Sequence, residues 1–443
     1  MKHRALLLSL VLPVCLGAAN KPAPVSFYKD VLPVLQKNCQ GCHRAGEAAP
    51  MVFTSYQDVR PWAKAIREAV LAKRMPPWFA SADDKGKFHN ERILTADEVS
   101  KITAWVDAGA PEGNRGDAPP PVTFTGGWNI GKPDKVVEMP SPFSVPASGT
   151  IEYTYIVLPL DLTQDTWVQA VEVRPGNRAV VHHVIAFLRE PGSKWMADAK
   201  YGEPFVPKPQ KRSARNANQE NSEAGGPGTE LLVGYAPGLE AQMWAPGQAK
   251  LVKAGTDVVF QLHYTANGTA ATDQTRIGLV FAKEPPKERV MTIAAMNPKF
   301  AIPAGATNHR VDSQFTLQAD TRLVGLMPHM HLRGKSFEYF AVYPTGEKER
   351  LLTVPRYDFN WQLFYYLKEP RVFPKGTRIE CIAHFDNSAN NRYNPDPSKE
   401  VRWGDQSWEE MMIGWFDIAF PADMNPMKLY QSEKPSPRPS GGE

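Results

Sequence analysis

Two histidines, His182 and His183, stand side by side in the apolar run "VVHHVIAFL". Further along, His263 lies in "QLHY", and His329 and His331 are two residues apart in "MPHMHLRGK". Imidazole suits zinc, copper, iron and nickel. Residues two apart on a strand share a face, so His329 and His331 can hold one ion together. Adjacent residues on a strand point to opposite faces. His182 and His183 can therefore share an ion only where the strand bulges or ends; otherwise one faces the core and the other solvent, as structural histidines. Taken singly, each of the five is more often a hydrogen-bonded structural residue, but five at such spacings in one region favour metal. The run "WEEMMIGWF" adds Met411 and Met412, thioethers of the kind that select Cu(I). Leu332 and Arg333 follow His331, so the H-x-H-x-D-H pattern of a binuclear zinc hydrolase is missing. His384, in "CIAHFDN", and Cys381 have no assigned role.

A second chemistry stands near the front. The segment "CQGCH" carries Cys39, Cys42 and His43 in the C-x-x-C-H arrangement. Two thiols at that spacing add to the haem vinyl groups, and the following histidine becomes the proximal iron ligand. A thioredoxin-type disulfide would need a βαβ context, and none is visible. A zinc site would need a second cysteine pair, whereas Cys381 stands alone. The expectation is one covalent haem c. Its sixth ligand is expected to be Met75, in "LAKRMPPWF", where Pro76 and Pro77 stop the preceding helical pattern and stiffen the loop. Met51 and His89 are the competitors. Met/His ligation raises the haem potential and suits electron transfer.

These residues need elements to hold them. Thr95 with Glu98 three residues on forms a capping box, Ile102, Trp105 and Val106 give one apolar face, and Gly109 can end the helix. Residues 24–113 are thus expected to form a small all-α cytochrome c domain, followed by a proline- and glycine-rich linker at 114–127. From Trp128 onward short alternating runs separated by turn residues predict antiparallel sandwiches, in a length too great for one of about 100 residues. Forty-one prolines and 32 glycines in 443 residues agree with that β-rich reading. The polar stretch 207–230 reads as an exposed insertion, and 431–443 as a disordered tail.

Residues 1–19 read as a secretory signal: Lys2, His3 and Arg4, then an apolar run too short to span a membrane, then small residues. A lipoprotein signal at Cys15 is disfavoured by the bulk of Val14. The chain is therefore expected to be exported, periplasmic or extracellular, with no transmembrane segment. The formal charge of +4 has no clustered basic helix behind it, which excludes nucleic acid as a partner.

From about Trp128 to Phe420 the chain resembles the copper type II, ascorbate-dependent monooxygenases, the family of peptidylglycine α-hydroxylating monooxygenase and dopamine β-monooxygenase. Four motifs carry the resemblance in the family's order: "HHVIAF", "QLHY", "HMHLRGK" and "EEMMIGW". The resemblance implies two tandem eight-stranded jelly-roll sandwich domains, at 128–285 and 286–430, facing across a solvent cleft. It implies two copper ions, an electron-transfer copper on His182, His183 and His263, and an oxygen-activating copper on His329, His331 and Met411. It implies hydroxylation of a C–H bond with O₂, on a small organic or peptide substrate. The cytochrome domain would relay electrons from ascorbate or a periplasmic redox protein. The chain departs from the family in lacking the cysteines for its disulfides, in carrying the cytochrome domain, and in matching no substrate-binding residue. A different class also fits the ligands: a copper-binding electron-transfer or copper-handling protein without a substrate.

Overall fold

The computed structural model describes residues 25–47, 49–124, 127–207 and 229–430. The signal expected at 1–19, nearly all of the polar insertion and the tail from 431 lie outside the described residues.

The chain is mainly β, preceded by a small helical unit. Helices Leu32–Asn38, Ala63–Leu71 and Ala96–Asp107 bury Leu35, Ile66, Ile102 and Trp105 in one apolar cluster. The capping box is present: the Glu98 amide donates to Thr95 Oγ1, and the Thr95 amide donates to the Glu98 carboxylate at 2.7 Å. Gly109 and Ala110 take positive φ and turn the chain away, as expected from Gly109. Within the range expected for this unit, the stretch 78–92 leaves it. Trp78, Phe79 and Phe88 join the apolar core of the β region, and Asn90 Nδ2 donates to the Phe364 carbonyl.

Among the described residues, the β region is one long sheet with two four-stranded sheets stacked on it and two two-stranded sheets besides. The long sheet runs in the order Lys135–Glu138, Arg276–Phe281, Thr166–Arg174, Gln248–Val252, Glu288–Met296, Ile413–Pro421, Thr321–His329, Tyr365–Phe373. Its first four strands precede position 285 and its last four follow it. The join is a parallel pairing of Glu288 with Gln248 and Arg289 with Ala249. One four-stranded sheet, ordered Thr154–Pro159, Asp257–Tyr264, Val181–Arg189, Thr229–Tyr235, covers the first half. Another, ordered His309–Thr316, Arg378–Phe385, Gly334–Val342, Lys348–Val354, covers the second.

The alternation along the strands decides what packs where. Ile156, Val184, Ala186, Val258 and Phe260 point into the first half's core. Their neighbours Tyr155, Val157, Ile185, Phe187 and Val259 point the other way and meet Ala294, Met327, Ile413 and Trp415 of the second half. The first half's small sheet is therefore buried on both faces. The two halves share one sheet and one apolar interface, and the histidine motifs end on that interface.

Candidate metal centre

His182 and His183 come together through a break in strand register. Val181 pairs with Tyr264 and His183 pairs with His263, so one step on the partner strand answers two on this one. His182 is the extra residue of a β-bulge, the distortion that lets adjacent side chains serve one place. His182 Nδ1 lies 3.2 Å from His183 Nδ1, which lies 3.4 Å from His263 Nδ1. Metal–nitrogen bonds of about 2.0–2.1 Å at a tetrahedral angle would set two ligand nitrogens about 3.3–3.4 Å apart. The three residues form a group that could hold a metal ion. Burial holds His263 down to about 3, helped by His182, and lowers His182 and His183 as well. Neutral imidazoles are the form that ligates. His182 Nε2 faces Asn360 Oδ1 at 3.4 Å, which leaves Nδ1 for an ion.

The second group is built the opposite way round. His329 Nδ1 lies 2.8 Å from Gln362 Oε1, and His331 Nδ1 lies 3.3 Å from the Glu409 carbonyl oxygen. Both acceptors fix the tautomer with the proton on Nδ1, and so free Nε2. His331 Nε2 is buried without a hydrogen-bond partner, and the two rings are 5.2 Å apart at 89°. Glu410 explains the acidic position of its motif. Fully buried, its carboxylate accepts from the amides of His331 at 2.8 Å and Arg333 at 2.6 Å, pinning the turn that carries His331. Burial pushes Glu410 up to about 8 against the pull of those amides and Arg333.

Met411 and Met412 precede the strand Ile413–Pro421, where His329 pairs with Ile413. Run two residues further, that register sets Met411 opposite His331. Met411 packs, half-buried, in the interface cluster with Ile413 and Tyr153, whereas Met412 is fully buried in the second half's core. Met412 is thus committed to packing, and Met411 lies on the histidines' side. His384 sits with Ser336 Oγ at 3.3 Å, and Cys381 lies in the second core, so neither joins either group.

Two aromatic rings connect the groups, and no spacing in the sequence marked them. Phe359 stacks on His182 at 5.0 Å and reaches His183, His263 and His331 at 6.0–6.4 Å. Tyr153 lies 4.5 Å from His263 and 6.2 Å from His331. The resemblance implies a solvent cleft between the two metals. Here Tyr153, Phe359 and the apolar interface occupy that space, because the two halves are stacked by their shared sheet. His183, His263, His329 and His331 are all buried.

In the helical unit, Cys39 follows the helix Leu32–Asn38, and the Cys42 and His43 amides both donate to the Cys39 carbonyl. That turn sets both thiols and the imidazole on one small loop. His43 is buried, stacked on Phe53 at 4.2 Å, with Nδ1 3.0 Å from the Met51 carbonyl oxygen. This again frees Nε2, so the residues fit a covalent haem with His43 as axial ligand. Met51 therefore braces His43 through its backbone. Met75 is half-buried, just beyond the helix Ala63–Leu71. His89 stacks on Tyr366 of the β region, and its amide donates to the Tyr366 carbonyl. The motif loop faces the first half, where Glu47 pairs with Arg178 at 3.0 Å.

No family model matches the chain, and no curated protein matches it. Among solved structures it is similar to a presumed secreted protein from Eubacterium rectale, at 10% identity over 60% of this chain and 69% of that one, with a TM-score of 0.18. It is similar also to a structure of infectious bursal disease virus Gx strain, at 10% identity over 67% and 74% with a TM-score of 0.18. A third is a Paenibacillus xanthan lyase, at 11% identity over 70% and 28% with a TM-score of 0.17. Likeness at these scores carries no argument. Among the described residues no helix is long and apolar enough to cross a membrane.

Proposed function

We propose that the chain is an exported haem- and copper-dependent monooxygenase of the copper type II class. In this reading the helical unit is a c-type cytochrome domain and the two sandwiches are jelly rolls. The observation that carries it is the bulge at His182, which sets His182 Nδ1 3.2 Å from His183 Nδ1, itself 3.4 Å from His263 Nδ1, on the same interface that holds His329 and His331. His182, His183 and His263 would hold one copper, and His329, His331 and Met411 the other. Copper is favoured over zinc by the thioether beside the second group. Bound copper would supply one-electron redox chemistry and an open position for O₂.

The net reaction joins R–H, O₂, two electrons and two protons into R–OH and water. The chain's own residues orient and insulate. Asn360, Gln362 and the Glu409 carbonyl fix the imidazole tautomers, Glu410 fixes the turn, and Phe359 keeps the two groups in contact through apolar material. The electrons would enter through the haem from ascorbate or a periplasmic redox protein. The placing of Glu47 against Arg178 supports that direction, since it turns the C-x-x-C-H loop toward the half that holds His182.

A second reading has its own observation. Burial of four of the histidines, with two rings filling the space between the groups, suits an electron-transfer or copper-handling protein without a substrate. Metal analysis with copper EPR on the purified protein tests what both readings share, with two coppers per chain expected. Copper-dependent O₂ uptake with small organic and peptide substrates separates them. Zinc, or no retained metal, would return the histidines to a structural role.

A further inference from the structure

Tyr153 has a hydroxyl with nothing to do. The residue is 2% exposed, its amide donates to Gln406 Oε1, and its ring packs at 90° to His183 with centroids 5.2 Å apart. The hydroxyl oxygen is buried and has no hydrogen-bond partner. A buried phenol in that condition costs about as much as a broken hydrogen bond, and a phenylalanine would fill the same space without it. Two of the rings packed against it also carry a buried nitrogen without a partner, His183 Nε2 and His331 Nε2. The ring lies between the two groups, its centroid 4.5 Å from His263 and 6.2 Å from His331, in the apolar cluster against which Met411 also packs.

We propose that the Tyr153 hydroxyl donates a hydrogen bond to a small acceptor molecule, the size of water, azide or dioxygen, carried by the metal at His329 and His331. This rests on the metal-binding reading above. A donor fixed in place before the ligand arrives adds affinity without reorganisation, and it raises selectivity for ligands with a lone pair facing it. Tyr153 is then a ligand-binding residue, and its ring also keeps the two histidine groups in fixed relation.

Azide binding to the copper-loaded full-length protein tests this, followed by the charge-transfer band and by EPR. Tyr153→Phe keeps the ring and removes only the donor. The expected result is two coppers retained and an azide dissociation constant raised about tenfold. In the metal-free protein the same variant should melt at the same temperature or higher, because no internal hydrogen bond is lost. The azide signal should disappear in His329→Ala, which assigns it to the second group. Unchanged azide affinity with copper retained overturns the role of the tyrosine and leaves the metal reading standing. A metal-free Tyr153→Phe that melts several degrees lower shows an internal partner and overturns it too, as does an azide signal that survives His329→Ala. A wild-type chain that retains no copper overturns the metal reading and this proposal together.

Discussion

Met411 and Met412 are neighbours with opposite obligations. Met412 is fully buried with Phe337, Tyr339 and Phe416, so Met412→Ala should cost about 2–5 kcal/mol in denaturant unfolding while leaving metal content intact. Met411→Ile keeps an apolar side chain of similar bulk, so stability should change by less than about 1.5 kcal/mol. It should nevertheless erase the copper–sulfur contribution from X-ray absorption of the reduced, copper-loaded protein. If that signal survives Met411→Ile and vanishes in Met412→Ile, the two residues have been assigned in the wrong order. The histidines make a pH prediction. Burial holds His263 at about 3 and His329 at about 4, below the ordinary imidazole value near 6.5. Between those values and about 6.5 the unfolded chain binds protons that the folded chain refuses. Stability of the metal-free protein is therefore complete above about 6.5 and should fall as pH drops below it, until the folded imidazoles themselves titrate. Urea unfolding of metal-free protein from pH 7.5 to 4.5 measures this. A flat profile would mean that the histidines are solvated.

At the scale of elements, the loop 357–364 does more than any strand to shape the centre. Tyr357 Oη donates to the Met330 carbonyl and accepts from the Met330 amide, between the two histidines of the second group. Phe359 touches both groups, Asn360 meets His182, and Gln362 meets His329. Removing an outer partner of a metal-bound histidine weakens the metal about 10–100-fold. Gln362→Ala should do so at the second group alone, with the first group's affinity unchanged in competitive chelator titrations. Equal loss at both groups would mean that the loop acts by holding the halves together. The histidines, the C-x-x-C-H motif and the capping box were legible because each is a local pattern. The bulge was legible only as a condition: two adjacent histidines require one if they share an ion, and the register supplies it at His182. Gln362, Phe359 and Tyr153 left no trace in the spacing. They meet the histidines only after the halves have stacked, and a glutamine, a phenylalanine and a tyrosine in loops look like any others. The excursion at 78–92 was hidden for the same reason, since its aromatic residues could as well have filled a helical core.

At the scale of the molecule, the alternating runs announced sandwiches but not that the two would share a sheet. The parallel contact of Gln248–Val252 with Glu288–Met296 joins them, and a buried polar network locks the join. Lys250 is fully buried. It donates to the Leu231 carbonyl and to Thr292 Oγ1 and lies 3.3 Å from Glu230, while Thr292 and Gln242 both donate to Asp417. Arg289 also meets Glu230 at 3.4 Å. Glu230, Gln242 and Lys250 come from the first half, and Arg289, Thr292 and Asp417 from the second. Lys250→Met preserves much of the volume but removes the buried cation 3.3 Å from Glu230, leaving that carboxylate only the longer contact with Arg289 at 3.4 Å. Breaking a buried pair from one side costs about 3–5 kcal/mol, whereas replacing the whole network with apolar residues is often neutral. The single variant should therefore unfold at markedly lower denaturant. The fourfold variant Lys250→Met, Arg289→Met, Glu230→Leu, Asp417→Leu should recover much of the loss if the penalty comes from stranded charge. The proposed metal centre gives the network a second readout, because both histidine groups lie on the interface it orients. In wild type the two halves should unfold in a single transition whose midpoint rises when copper is added, since an ion bound only by the folded state stabilises everything that must unfold with its site. Two separate transitions, with only one moved by copper, would show that the shared sheet does not make the halves one cooperative unit, and Lys250 would then be ordinary packing inside one of them.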